Sequence, residues 1–190
     1  MANKLFNRYL EKARKANITP SGSRESIDWF RRVVTRNGQI TQHGKITEGL
    51  ETVSRLMPGQ MVTYRYDPKL KEKLDFYDRH PLIIVLERTG NGWYGLNLHY
   101  LPPIIRAEIF ERLDYNDRSL LEVARKLSRN KWTRPCLKQY LMVQTETKPR
   151  LIPKELWEVA IALPFDKFEN QTKRKIWSDS RKKVKNGSRR

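Results

Sequence analysis

The chain has 190 residues and a mass of 22.7 kDa, which suits one compact domain with appendages better than two independent domains. It carries 39 Lys and Arg against 21 Asp and Glu, for a formal charge of +18 and a pI near 10.2. No stretch approaches the roughly 18 apolar residues of a membrane span, and charged residues stand where a signal peptide has its apolar region. We therefore expect a soluble, cytosolic protein with no membrane partner.

Cysteine and histidine usage argues against the common metal sites. Cys136 is the only cysteine, which rules out an internal disulfide and metal sites built from several cysteines. The three histidines, His43, His80 and His99, lie far apart and lack the HxxxH spacing of a helical zinc site. We expect no metal and no other cofactor.

The excess positive charge is concentrated at the two ends of the chain. Residues 1–36 contain nine basic and three acidic side chains, and residues 171–190 contain nine basic and one acidic. Residues 37–170 then carry only +4 and resemble an ordinary globular domain. DNA or RNA complements such ends, because each neutralised phosphate releases a condensed counterion. An acidic protein, an anionic membrane surface or solvated tails without a ligand are the alternatives.

The first 50 residues are predicted to form a basic helical extension. Asn3–Ala16 combines an apolar stripe with a basic face that includes Lys12, Arg14 and Lys15. A break at residues 19–23 precedes a second predicted helix, which carries Arg31, Arg32 and Arg36. Residues 38–49, with three glycines, are predicted to form a connector.

A β-rich core is predicted over residues 51–168. Met61–Tyr66 has strand-forming residues after a Pro-Gly turn, and Pro81–Glu87 contains a nearly continuous apolar strand. Asn91-Gly92 is a hairpin signal because both turn positions can take a positive φ, so Pro81–Glu87 should pair antiparallel with Trp93–His99.

Two helices and a returning strand complete the predicted core. Pro103 opens a helix through Leu113, and Ser119 with Glu122 forms a capping box for a helix through Leu127. Apolar residues alternate over 157–163, which predicts a last strand. The fold class is α+β: a small curled antiparallel SH3-like β-barrel with inserted helices, a basic helical N-terminal extension and a basic C-terminal tail.

Residues 169–190 are predicted to be this basic tail. Lys173–Arg190 contains only Ile176, Trp177 and Val184 as larger apolar residues, so we expect it to become ordered only on its partner. The basic side chains of both ends are the predicted DNA-binding residues: Lys12, Arg14, Lys15, Arg31, Arg32, Arg36, Lys173, Arg174, Lys175, Arg181, Lys182, Lys183, Lys185, Arg189 and Arg190.

One polar cluster permits an enzymatic alternative. In an SH3-barrel ribonuclease, Asp78 or His80 would act as base, His99 as acid and Arg79 as phosphate clamp. No nucleophile elbow, phosphate loop or paired carboxylate motif accompanies them. We therefore favour structural roles for these residues, with Asp78 capping a turn and the histidines satisfying backbone groups, and predict no catalytic residues.

Three segments carry a resemblance to a known family. They are Pro58–Lys69, Phe76–Leu82 and Gly95–Pro102, and with 152–164 they place the similarity over roughly residues 55–165. This pattern resembles virion-associated proteins of contractile-tailed phages, among them DNA end protectors. The resemblance implies binding of packaged DNA ends and a location in the virion, with host cytoplasm during assembly.

The sequence therefore predicts a non-enzymatic phage virion protein that binds the DNA phosphate backbone with little sequence specificity. Its core would contact other virion proteins, while its ends protect or position the DNA terminus in the head-tail region. A purely structural head, neck, tail or baseplate protein that never contacts DNA is the main alternative. In that case its Trp- and Tyr-rich strands would anchor the interface.

Overall fold

The computed structural model describes residues 11–18, 49–162 and 166–186. Its fold is α+β. The strands are β1 Met61–Thr63, β2 Tyr77–Asp78, β3 Leu82–Thr89, β4 Gly92–Asn97, β5 Leu137–Leu141, β6 Arg150–Ile152 and β7 Phe168–Glu169. The α-helices are α1 Pro103–Leu113, α2 Leu120–Arg129, α3 Trp157–Ala162 and α4 Lys173–Asn186, with short 3-10 helices between several elements. Residues 11–15 are also helical.

Several predictions for the chain ends fall outside these ranges. The predicted helix from Asn3 is described only from residue 11, where residues 11–15 are helical as expected. The second predicted helix, with Arg31, Arg32 and Arg36, and the last two arginines, Arg189 and Arg190, lie outside the described residues. Over the described ranges, no helix is both long enough and apolar enough to span a bilayer.

The main sheet has five antiparallel strands in the order β5-β4-β3-β1-β6, and β2 pairs with β7 in a second, two-stranded sheet. In the described part of the chain β5 and β6 are opposite edges and do not pair with each other. The sheet is therefore open, and the predicted closure into an SH3-like barrel does not occur there. A register shift between Val85 and Glu87 bends β3 without closing the sheet.

The predicted hairpin joins β3 to β4, but its turn lies one residue earlier than expected. Thr89 pairs with Gly92, which leaves Gly90 and Asn91 as the turn residues. None of the three turn-region residues Gly90, Asn91 and Gly92 has a positive φ. Gly92 is needed for a different reason: a Cβ there would lie 1.8 Å from the carbonyl oxygen of Tyr140 on β5.

Both faces of the main sheet are covered, as the apolar run in β3 predicts. Leu82 and Ile84 pack under the helices, in a core that also includes Ile104, Phe110 and Trp157. On the opposite face, Ile83 and Val85 pack in a second cluster with the aromatic side chains Tyr64, Tyr66, Trp93 and Tyr140. These rings meet mostly edge to face. These four buried rings are unavailable as interface anchors, whereas Tyr94 on β4 is 38% exposed.

Helices α1 and α2 confirm the predicted boundaries closely. Pro103 is the first residue of α1, and Ile105, Ile109 and Leu113 are buried on one face of it. The capping box of α2 is complete: Ser119 Oγ accepts a hydrogen bond from Glu122 N at 3.3 Å, and Glu122 Oε2 accepts one from Ser119 N at 3.0 Å.

The predicted strand over 157–163 is wrong, because residues 157–162 form helix α3. Trp157, Ala160 and Ile161 are buried, and their spacing of three and four residues is helical. A 3-10 turn over Lys154–Leu156 starts the segment, and Trp157 Nε1 donates to the carbonyl oxygen of Ile152 at 2.9 Å. The strand that returns to β1 is β6, which comes just before this turn.

The prediction that the C-terminal tail is ordered only on its partner is also wrong over Lys173–Asn186, which forms α4. Ile176, Trp177, Ser180 and Val184 lie on one buried face. Trp177 Nε1 donates to the carbonyl oxygen of His99 at 2.9 Å. The buried Trp177, with its N–H hydrogen-bonded, anchors α4 to the core. The low apolar content of the segment gave no indication of this anchor.

We predict that Gly59→Ala destabilises the protein by about 2–4 kcal/mol. Gly59 has a φ of +87°, and a Cβ there would lie 1.9 Å from the carbonyl oxygen of Leu120, so helix α2 would have to shift. Urea unfolding of both proteins measures the difference. Gly90→Ala is the matched control, because a Cβ at Gly90 has no neighbour within 4 Å. Equal stability of the two variants would contradict the prediction.

Candidate nucleic-acid interface

Helix α4 separates its apolar and basic side chains onto opposite faces. The buried face packs on the 3-10 helix Leu98–Tyr100 and on the 3-10 helix Lys131–Cys136. Five cations are exposed on the remaining surface of the helix: Arg174, Lys175, Lys182, Lys183 and Lys185. Arg181 is half-buried. The fold therefore holds most of the predicted C-terminal DNA-binding residues on one rigid element.

Acidic neighbours partly neutralise this basic face. Lys175 Nζ lies 3.5 Å from Asp179 Oδ1, and Lys182 Nζ lies 3.8 Å from the same oxygen. Lys173 differs from the other cations, because its Nζ lies 2.7 Å from Oδ2 of the buried Asp166. Lys173 therefore forms an ion pair inside the protein. The exposed cations of α4 are those that follow it, from Arg174 to Lys185.

The N-terminal candidates are placed only in part. Lys12, Arg14 and Lys15 are exposed around the buried Ala13, so this helical turn also presents its cations to solvent. The other N-terminal candidates, Arg31, Arg32 and Arg36, lie outside the described ranges.

A second concentration of positive charge lies in a concave pocket of about 520 Å³. The pocket is lined by Thr63, Tyr64, Arg65, Arg79, His80, Thr147, Arg150 and Lys167. Sequence reasoning missed Arg65, Arg150 and Lys167, and it considered Arg79 and His80 only as parts of a ribonuclease site. These residues are separated by up to about 100 positions, in a middle region of low net charge, so neither a motif nor a segment count could assemble them.

The polar cluster considered for catalysis is built around a buried carboxylate. Asp78 Oδ2 accepts from Asn97 Nδ2 at 3.0 Å and lies 2.7 Å from His99 Nδ1, which carries the proton because a carboxylate can only accept. Asp78 Oδ1 accepts from the backbone N–H groups of His80 and Lys167 at 3.1 and 3.3 Å. The side chains of Asp78 and His99 are 1% and 0% exposed, so neither reaches a substrate at the surface.

A second buried carboxylate lies close to this network. Asp166 Oδ1 is 3.8 Å from Arg106 Nη2, and both side chains are fully buried. Burial alone would raise the pKa of Asp166, but interactions with His99, Arg106 and Lys173 outweigh it and lower the pKa below its usual value. Asp166 therefore stays ionised, and it holds α1, α4 and its own segment together.

Comparison with known families gives one match. The model of the family described as the phage T4 terminal DNA protecting protein matches residues 2–185, almost the whole chain. The chain belongs to this family. No curated protein and no solved structure matches the chain. Membership in the terminal DNA protecting family confirms the resemblance to phage DNA end protectors, and the match extends well beyond the roughly 55–165 range that the sequence pattern suggested.

Membership in a terminal DNA protecting family implies that the protein binds DNA. Its description names protection of DNA as the family's role. The described part of the chain presents basic side chains at three places: the outer face of α4, the helical turn with Lys12, Arg14 and Lys15, and the pocket beside Arg79.

We predict that His99→Ala destabilises the fold by about 3 kcal/mol, because it removes a buried partner of the Asp78 carboxylate and leaves a cavity. His80→Ala is the comparison and should cost about 1 kcal/mol or less, since His80 is only half-buried. Urea unfolding at pH 7.5 measures both. A His99→Ala variant as stable as wild type would show that Asp78 does not need this partner.

Proposed function

We propose that this protein binds duplex DNA at its ends through the phosphate backbone and shields them from exonucleases, as a non-enzymatic component of the phage particle. Binding has little sequence specificity, because contacts between Lys or Arg side chains and phosphates carry no direct sequence information. The protein acts in the virion at the head-tail region, where the packaged terminus lies, and in host cytoplasm during assembly.

The observation that carries the proposal is the exposed basic face of α4, on a chain that belongs to a DNA-protecting family. At about 1.5 Å per residue, the helix presents its exposed cations from Arg174 to Lys185 over about 17 Å. DNA carries one negative charge per about 1.7 Å of its axis, so a surface of this length faces several phosphates at once. The exposed Lys12, Arg14 and Lys15, together with the basic residues beyond the described ranges, would extend the contact.

A ribonuclease function has no such support. Arg79 and His80 line the basic pocket, whereas Asp78 and His99 are shielded from solvent. An acid and base pair divided in this way cannot transfer protons to one substrate. We therefore propose binding without turnover, and purified protein should leave a short RNA intact.

We predict that replacing Lys182, Lys183 and Lys185 by Gln weakens duplex binding and reduces the steepness of its salt dependence. Each lost phosphate contact lowers the log-log slope by about 0.9, so the triple variant should lose about 2–3. Fluorescence anisotropy with a 20-base-pair duplex from 50 to 300 mM NaCl measures this change. Protection of linear DNA from a processive exonuclease should fall in parallel.

The matched control replaces Lys69, Lys73 and Lys148 by Gln, which removes the same charge from exposed positions outside α4 and outside the two 3-10 helices on which α4 packs. This control should keep most of the wild-type slope and protection. Equal losses in the two triple variants would mean that net charge, not the face of α4, governs binding. A wild-type slope near zero would remove DNA from the proposal. Deleting the whole tail is unsuitable, because it removes the buried Ile176 and Trp177.

A second role, docking on other virion proteins, is supported by the outer edge of the sheet. The edge strand β5 and the turn after it expose Leu137, Met142 and Val143, with Val143 83% exposed. Exposed apolar side chains beside an unpaired strand edge are typical of protein-docking surfaces. A purely structural protein would use this edge without any DNA contact from α4.

We predict that a photo-crosslinker placed at Val143 in intact particles gives adducts with protein, and that one at Lys182 gives adducts with DNA. The first position lies at the apolar edge and the second on the basic face of α4. Gel mobility after nuclease or protease treatment separates the two kinds of adduct. Protein adducts from both positions would favour the purely structural role.

A further inference from the structure

The basic pocket differs in shape and composition from the face of α4. It is concave, whereas a helix surface is convex. Its lining includes four permanent cations, Arg65, Arg79, Arg150 and Lys167, and contains no carboxylate among the described residues. Its volume of about 520 Å³ falls within the range of about 300–1,000 Å³ typical of small-ligand sites.

Two glutamates outside the lining hold the arginines in place. Glu146 Oε2 lies 2.7 Å from Arg65 Nε, and Glu146 Oε1 lies 3.8 Å from Arg79 Nη2. Glu169 Oε1 lies 3.9 Å from Arg79 Nη1. Arg65, Arg79 and Lys167 are three cations against these two carboxylates, so the pocket keeps a net positive charge. The two carboxylates also orient two guanidinium groups before any ligand arrives.

Backbone hydrogen bonds fix the segments that supply the lining. The N–H of Arg79 donates to the carbonyl oxygen of Lys167 at 2.8 Å, and the N–H of Arg65 donates to Thr147 Oγ1 at 2.9 Å. Asp78 also links the segment of Arg79 to that of Lys167, because its side chain accepts hydrogen bonds from the backbone N–H groups of His80 and Lys167. The buried carboxylate therefore fixes the backbone that carries His80 and Lys167 at one side of the pocket.

The geometry points to a site for the terminal phosphate monoester of a DNA strand, an assignment that rests on the proposed function. A monoester carries a charge near −2 at neutral pH, since its second pKa is near 6, whereas an internal phosphodiester carries −1. A free strand end can enter a concave site, and an internal phosphate of a stiff duplex lies on a convex surface. The face of α4 would hold internal phosphates while the pocket holds the end.

His80 supplies a reporter inside the pocket. Burial lowers its pKa; Asp78 opposes this, and Lys167, Arg65 and Arg79 lower the pKa further. A bound phosphate adds negative charge next to the imidazole, so the His80 pKa should rise. Addition of 2′-deoxyadenosine 5′-monophosphate should therefore raise the pKa obtained from the imidazole C–H resonances of His80, and 2′-deoxyadenosine without the phosphate should not.

The deciding experiment uses the full chain with four duplexes of equal length. One has a single open end with a 5′-phosphate, one has the same end with a 5′-hydroxyl, and one is closed by hairpin loops at both ends. A 3′-phosphate version of the open duplex identifies which strand end is held. Wild type should prefer a phosphorylated end over the hydroxyl end by about tenfold, in line with a few charge-assisted contacts.

The test variant is Arg65→Gln with Lys167→Gln, both of which reach the pocket from well-fixed backbone. It should bind phosphorylated and hydroxyl ends within about twofold of each other, and it should bind the closed duplex as wild type does. Lys69→Gln with Lys131→Gln removes the same charge elsewhere and should keep the preference. Urea unfolding confirms that both variants are folded.

Two different failures are distinguishable. If wild type binds the closed duplex but shows no preference for either phosphorylated end, and the nucleotide leaves the His80 pKa unchanged, the pocket assignment is overturned and the proposed function stands. If wild type binds none of the duplexes, the proposed function itself fails.

Discussion

The carboxylate of Asp78 is the interaction on which the rest of the structure depends. An ionised carboxylate is costly to bury unless its oxygens are satisfied, and here four donors do so. They come from the backbone of His80 and Lys167 and from the side chains of Asn97 and His99. The donors lie on three segments, at residue 80, at residues 97–99 and at residue 167, so folding must bring these segments together before burial becomes favourable.

Through this carboxylate the buried core and the exposed basic pocket become one unit. Arg79 and His80 follow Asp78 directly, so the strand that buries the carboxylate also directs the next two side chains to the surface. His99 extends the connection to α4, since its carbonyl oxygen accepts from Trp177. Of the residues that resemble a catalytic set, Asp78 and His99 thus have a structural role in the core, and Arg79 and His80 line the basic pocket.

Short sequence motifs correctly predicted the helices and the strand whose formation depends on residues close together in the chain. The capping box at Ser119, Pro103 at the start of a helix and the apolar run of β3 all correspond to observed elements. Residues 157–162 were ambiguous because Trp157 and Ile161 fit an alternating pattern as well as a helical one. Only packing against the core, which buries Ala160 with them, decides for the helix.

The candidate site divides in the same way. Charge counting located the cations of α4, but it could not predict that the segment folds, because one buried tryptophan and one hydrogen bond carry much of that information. The basic pocket could not be predicted from the sequence. Arg65, Arg150 and Lys167 lie in a region of nearly balanced charge, and only tertiary pairing brings them together.

The anchoring of α4 by Trp177 changes the thermodynamic character of any encounter with a polyanion. A disordered basic tail would lose conformational entropy as it folds onto its ligand, at a cost of about 1–2 kcal/mol for each backbone residue fixed. Here that cost is met during folding of the protein, before the ligand arrives. Association over this surface should therefore show the small heat-capacity change of two preformed bodies meeting rather than the large one of coupled folding.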